Sequence, residues 1–213
     1  MTTEHGTPAF SWSIMGLIVE ILGLVFFLGP HVFVSMRDER AALINKIGQG
    51  PYRGLFSLVS IIGIVLICYG FASYRAAGLI PVWSPPPWTR QIVVVLMWPA
   101  SIMVTAAYIP GNIKRVLKHP MLAGVKTWAF AHLCANGDLG GIILFGSVLG
   151  WAVYNRVTLK RRGDPGAPPI PVGGVKNDVI AVIVGTIVYV ALGFVFHPLV
   201  VGVPAFATPA LGR

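Results

Sequence analysis

The chain has 213 residues, of which 55% are apolar and 11% charged, whereas a soluble domain carries about 25% charged residues. That balance points to a chain dissolved in lipid, and mean hydropathy is +0.78. The net charge of +9 would suggest nucleic acid for a soluble protein, but the basic residues sit only between apolar runs. Membrane topology accounts for them, and no nucleic-acid partner is expected.

The N-terminal MTTEHGTPAF has no basic stretch before the first apolar run. That run is too long for a signal-peptide core and has no cleavage pattern behind it, so it reads as a retained helix. A bilayer core takes about 20 apolar residues per helix. Five runs meet or approach that length: residues 12–34, 55–74, 92–109, 139–154 and 179–201. A sixth, 121–135, is shorter and contains Lys126. It counts as a span because Asn136-Gly137-Asp138 follows as a turn signal, and Lys126 lies near enough to an end to snorkel. Two proline-rich stretches, 81–88 and 163–171, stop the helices on either side from running on. Trp83 and Trp88 flank the first at the depth where amphipathic rings anchor. Cys68 and Cys134 both fall in apolar runs, which leaves neither a disulfide scaffold nor a Cys-rich metal site.

Lys and Arg concentrate in cytoplasmic loops. Arg37, Arg40, Lys46 and Arg53 fall in the first loop, and Lys114, Arg115, Lys118 and Lys126 in or beside the third. Arg156, Lys160, Arg161, Arg162 and Lys176 belong to the fifth, so one side carries thirteen of the sixteen basic residues. The other side holds Arg75, Arg90 and Arg213. The fold class expected is therefore all-α integral membrane: a single domain, a bundle of six transmembrane helices with both termini on the non-cytoplasmic side. Membrane lipids are its expected surroundings.

Ionisable side chains inside spans are costly and mark candidate sites. Here they are Glu20, His31, Lys126, His132 and His197, with His119 at a helix start. One carboxylate among them is too few for a hydrolase, and neither a P-loop nor a dinucleotide fingerprint is present. A b-type haem needs less: an apolar, aromatic pocket and one or two neutral imidazoles. His132 lies four residues after Trp128 and four before Asn136, so ring, imidazole and amide share one helix face. His31 follows Glu20 by eleven residues, about 16 Å along the same face. The competing reading is that each histidine merely bonds a neighbouring helix. Depth pairs His31 with His119 and His132 with His197, which leaves the ligand pair open among them.

Several separated motifs resemble the NnrU family of bacterial membrane proteins. They are Pro30-His31; Lys46-Ile-Gly-Gln-Gly-Pro-Tyr-Arg-Gly-Leu-Phe-Ser57; Trp83-Ser-Pro-Pro-Pro-Trp88; and Lys118-His-Pro-Met-Leu-Ala-Gly-Val-Lys-Thr-Trp-Ala-Phe-Ala-His132 with Asn136-Gly-Asp138. Asn177-Asp178, His197-Pro198 and Gly202-Val-Pro204 extend the likeness along nearly the whole chain. The resemblance implies a multi-pass protein of the bacterial inner membrane with a periplasmic N-terminus, associated with nitrite and nitric oxide reduction in denitrification. Residues from about His31 to Arg162 also resemble zeta-carotene isomerase, a haem b enzyme of the same superfamily. This second likeness implies haem b on His31 and His132, with His119 as the motif histidine. His119 and His197 remain the alternative ligands. Trp128, Lys114, Arg115 and Lys118 would complete the cofactor site, the basic side chains facing haem propionates or, equally, anionic headgroups. Ala129 and about Trp151 stand where that isomerase has a cysteine and histidines.

Three functions follow as expectations: a haem-binding redox or accessory protein with a redox partner, a cis-trans isomerase of a carotenoid-like lipid-soluble molecule, and a cofactor-free membrane accessory protein. The basic-His-Pro-x-x-x-Gly element also resembles membrane methyltransferases. Those carry a Glu pair where this chain reads Tyr154-Asn-Arg-Val-Thr-Leu-Lys-Arg-Arg-Gly163, so methyl transfer is disfavoured.

Overall fold

The computed structural model describes residues 8–163 and 173–206, with side chains from residue 11 onward. Most of the second proline-rich stretch and the terminal Arg213 lie outside these. Among the described residues the fold is all-α. The helices are α1 (Pro8–Phe33), α2 (Arg37–Ile47), α3 (Gln49–Ala77), α4 (Thr89–Tyr108), α5 (Asn112–Leu117), α6 (Pro120–Ala135), α7 (Leu139–Arg161) and α8 (Gly174–Ala191). Helix α8 continues into a π-helical segment, Leu192–Val201. The extended pairing seen is one isolated bridge, Pro81 to Asp138.

Five helical stretches among the described residues are long and apolar enough to cross a membrane: Ser11–Phe33, Gln49–Ala77, Thr89–Tyr108, Leu139–Arg161 and Gly174–Val201. They correspond to the five long runs of the sequence. Helix α6 has 16 residues and is not among them. Proline stands at its first position, where a missing N–H costs nothing, and the Asn136-Gly137-Asp138 turn ends it. Charged segments that the sequence leaves as loop are helical: α2 folds from the first basic loop and buries none of its residues. Helix α3 begins six residues before the apolar run, because Gly48 at φ 89° turns the chain between α2 and α3.

The chain forms two compact units. Unit 1 comprises Met1–Ser84 and Asn136–Trp151, and unit 2 comprises Pro85–Ala135 and Ala152–Arg213. Helix α7 thus gives its first part to unit 1 and its last ten residues to unit 2.

In unit 1, α1 and α3 pack backbone against backbone through glycines spaced two turns apart. A Cβ on Gly16 would lie 2.5 Å from the Tyr74 amide nitrogen, one on Gly23 2.5 Å from that of Ile67, and one on Gly63 2.6 Å from that of Phe27. A Cβ on Gly70 would meet the Glu20 backbone. Small residues of this kind let membrane helices approach closely enough for dispersion to hold them without a hydrophobic driving force. The opposite faces carry exposed apolar side chains such as Val25 at 62% and Val65 at 60%, a surface suited to lipid. The loop after α3 is tied to the α7 start: Val82 N–H donates to the Gly137 carbonyl at 2.8 Å and Leu139 N–H to that of Ile80 at 2.9 Å.

In unit 2, α6 and α8 both pack on α4. Gly124 of α6 sits against Val104 and the Ala100 carbonyl, and Gly185 of α8 against Ile102. Trp98 Nε1–H donates to Thr186 Oγ1 at 2.9 Å, and Tyr189 O–H donates to the Val94 carbonyl at 3.0 Å. A polar clasp fixes α5 to α8. Asp178 accepts from Asn112 Nδ2 at 2.8 Å and from Ile113 N–H at 2.9 Å, while Asn177 Nδ2 donates to the Pro110 carbonyl at 3.0 Å. Replacing Asp178 with alanine leaves both donors without their acceptor. We expect a lower Tm in detergent for Asp178→Ala and a smaller fall for Asp178→Asn, which keeps one acceptor oxygen. Equal melting of all three proteins would show that the clasp adds nothing.

Candidate functional site

Unit 1 holds His31 in the last turn of α1. Pro30 beside it lacks an N–H, so one backbone bond of that turn is missing. The imidazole fastens to the helix instead: His31 Nδ1 lies 2.6 Å from the Phe27 carbonyl oxygen, one turn back. A carbonyl oxygen only accepts, so Nδ1 is the donor, and in the neutral tautomer Nε2 is left with the lone pair. Aromatic rings enclose the imidazole, with centroids of Phe27 at 4.5 Å, Phe56 at 5.0 Å and Trp151 at 5.5 Å, the last edge-on at 89°. The Trp151 Nε1–H is buried with no hydrogen-bond acceptor.

Unit 2 repeats the device on α6. His132 Nδ1 donates to the Trp128 carbonyl at 2.8 Å, again one turn back, which leaves the lone pair on Nε2. The Trp128 ring lies 5.2 Å from the imidazole, as the four-residue spacing predicts. His197, within the π-helical segment, brings its ring to 6.2 Å from that of His132, with 30° between the planes. Two imidazoles on opposite sides of one metal ion have nearly this separation when the metal–nitrogen bonds are about 2 Å. The π-helical winding that carries His197 recurs at functional sites in other proteins; no composition signal in the sequence announces it.

The remaining candidates lie at the turn between α5 and α6, also in unit 2. Lys114 and Arg115 belong to α5. Lys118 follows at φ 62° and ψ −45°, and His119 N–H donates to the Leu117 carbonyl at 2.7 Å. This is a γ-turn with a strained, left-handed centre, and it sets His119 directly ahead of Pro120. The His119 imidazole has its pKa lowered by burial, then by the positive charges of Arg156 and Lys118. The neutral ring, able to act as a ligand, is thereby favoured.

The structure therefore brings Trp128, His132 and His197 together and places His31 in the other unit with its own aromatic cage. Phe27 was within reach of sequence reasoning, since it lies one turn before His31. Phe56 and Trp151 were not, because no local spacing links them to α1. Glu20 has a setting apart from either histidine site. It is 0% exposed, both carboxyl oxygens lack a hydrogen-bond partner, and a Cβ on Gly140 would lie 3.2 Å from Oε2. Nearby, the Tyr74 hydroxyl accepts the Ile80 N–H at 2.9 Å, and Asp138 caps α7 by accepting the Gly141 N–H at 2.8 Å.

Among the described residues no group of three or more His, Cys, Asp and Glu side chains could hold a bare metal ion. A porphyrin brings four nitrogens of its own and asks the protein for only one or two. The available imidazoles suit that demand and not a protein-only metal cage. The family model described as "NnrU protein" matches residues 19–205. No curated protein and no solved structure gives a match.

Proposed function

The chain belongs to the NnrU family, and on that premise we propose that it is a haem b-binding multi-pass protein of the bacterial inner membrane that serves nitrite and nitric oxide reduction. The observation that carries the haem reading is the shared state of His31 and His132. Each gives Nδ1–H to the carbonyl one turn back and so presents Nε2 as a Lewis base, and such a bond from the far ring nitrogen is what orients metal-bound histidines. His31 and His132 are the ligands carried over by resemblance. The second pairing, His132 with His197, is favoured by their 6.2 Å approach within unit 2. His132 is common to both. Haem b supplies reversible one-electron chemistry at its iron when bound. The protein's own part is to hold neutral imidazoles in apolar surroundings and to offer Lys114, Arg115 and Lys118 as cations for propionates.

The deciding experiment is an absorption spectrum of the full chain purified in detergent from haem-supplemented cells. A Soret band with the split visible bands of low-spin haem is expected; a colourless protein overturns the proposal.

The proposal includes six spans with both termini periplasmic, α6 being the sixth. Thirteen of sixteen basic residues on one side support it. Alkaline phosphatase should be inactive when fused after Lys118 or after Arg162, and active when fused after the C-terminus. Activity that differs between the Lys118 and Arg162 fusions would mean that α6 does not cross.

A further inference from the structure

We propose that Trp151 is a haem-binding residue whose indole Nε1–H donates a hydrogen bond to a propionate carboxylate of the haem held by His31. The inference rests on the haem reading above and adds a contact within unit 1 that the sequence did not suggest.

Three observations carry it. First, Nε1 of Trp151 is buried without an acceptor, and native proteins seldom leave a buried donor in that state unless a partner arrives from outside the chain. Second, the indole and the His31 imidazole pack with ring centroids 5.5 Å apart and planes at 89°. Its N–H therefore belongs to the same small region as the imidazole. Third, of the three side chains around the imidazole site only His31 itself carries an acceptor, Nε2, and that is the atom the iron would take. Phe27 and Phe56 are hydrocarbon, and His31 Nδ1 is committed as a donor to the Phe27 carbonyl.

The chemistry of the ligand then narrows the partner. In haem b the four ring nitrogens face the iron and most of the periphery is hydrocarbon. The two propionates are the groups that extend acceptor oxygens outward. A charge-assisted bond from a buried indole to a carboxylate is among the stronger hydrogen bonds a protein makes.

The test uses the full chain purified in detergent without haem and titrated with hemin and with hemin dimethyl ester, in which the carboxylates are neutral. Soret absorbance gives the dissociation constant. Trp151→Phe keeps a flat apolar ring against His31 and removes only the donor, and it should weaken hemin binding about tenfold or more. With the ester the same substitution should cost less than about threefold, because a neutral acceptor gains less from the bond. Equal constants for wild type and Trp151→Phe with hemin would overturn the inference. So would an equal loss with both porphyrins, which would mean ring packing and not the N–H. Should Trp151→Phe fail to fold, wild type alone decides. Its tryptophan N–H vibrations should shift with hemin and not with the ester, and identical spectra would refute the contact. A wild-type protein that binds neither porphyrin would sink the haem reading itself; one that binds hemin with Trp151→Phe unchanged would sink only this contact.

Discussion

His132→Ala is expected to abolish the low-spin haem spectrum and to lower haem affinity by about 100-fold or more, since loss of even an outer partner of a metal-bound histidine costs about 10–100-fold. The reason is its place in both candidate pairs. Helix α6 presents the Nε2 lone pair of His132 because Nδ1 is fastened to the Trp128 carbonyl at 2.8 Å. Neither pairing survives without it. The second ligand follows from the companion variants. If His31→Ala converts the spectrum to a five-coordinate, high-spin form and His197→Ala leaves it low-spin, the pair is His31 and His132. The opposite outcome assigns His132 and His197, whose rings lie 6.2 Å apart. An unchanged low-spin spectrum in His132→Ala would remove this histidine from the coordination altogether. Electron paramagnetic resonance of the ferric protein gives an independent reading, because loss of one imidazole moves the iron from low to high spin.

The second large effect concerns the α1–α3 pair and has opposite signs along a single helix. Gly70→Val should destabilise the protein by about 3 kcal/mol or more, beyond the usual cost of overpacking. The added carbons would meet the backbone of Glu20, which has no flexible end to swing aside. Gly54→Ala, in the same helix with nothing within 4 Å of the position, should gain roughly 0.5–1 kcal/mol, because alanine loses less conformational freedom in a helix than glycine does. Thermal melting in one detergent, followed by circular dichroism, measures both. Equal melting temperatures for wild type and Gly70→Val would contradict the close approach of the two backbones.

Much of the fold was legible because its signals are local. Apolar length alone located the five long helices, and prolines marked the break at residues 81–88. The sixth run was harder: α6 has the turn and the cap of an ordinary helix but only 16 residues. Length and charge pattern therefore pull in different directions there. Helix α2 was missed because five of its eleven residues are charged and none is buried, so no hydrophobic period betrays it. The site was half legible for a similar reason. Spacing of four residues showed that Trp128 and His132 share a face, and the rings do lie 5.2 Å apart. The approach of His197 to His132 depends on a π-helical segment and on helices 65 positions apart in the chain. Depth in the membrane had hinted at that pairing; residue spacing could not. Trp151 stands out in the sequence only as a departure from the isomerase pattern, and its buried N–H next to His31 depends on tertiary packing that no local spacing announces.

The shortness of α6 has a consequence for where the protein is comfortable. Sixteen residues at 1.5 Å each make a helix of about 24 Å, some 6 Å less than the hydrocarbon thickness of about 30 Å in an average bilayer. In the proposed six-span arrangement this difference would be taken up by local compression of the lipid tails and by Lys126 reaching toward the headgroups, at a fraction of a kcal/mol per ångström. Hydrophobic mismatch would then make acyl-chain length a thermodynamic variable of this protein. Short-chain lipids would favour the fully inserted form of α6, and long-chain lipids would strain the helix that carries His132.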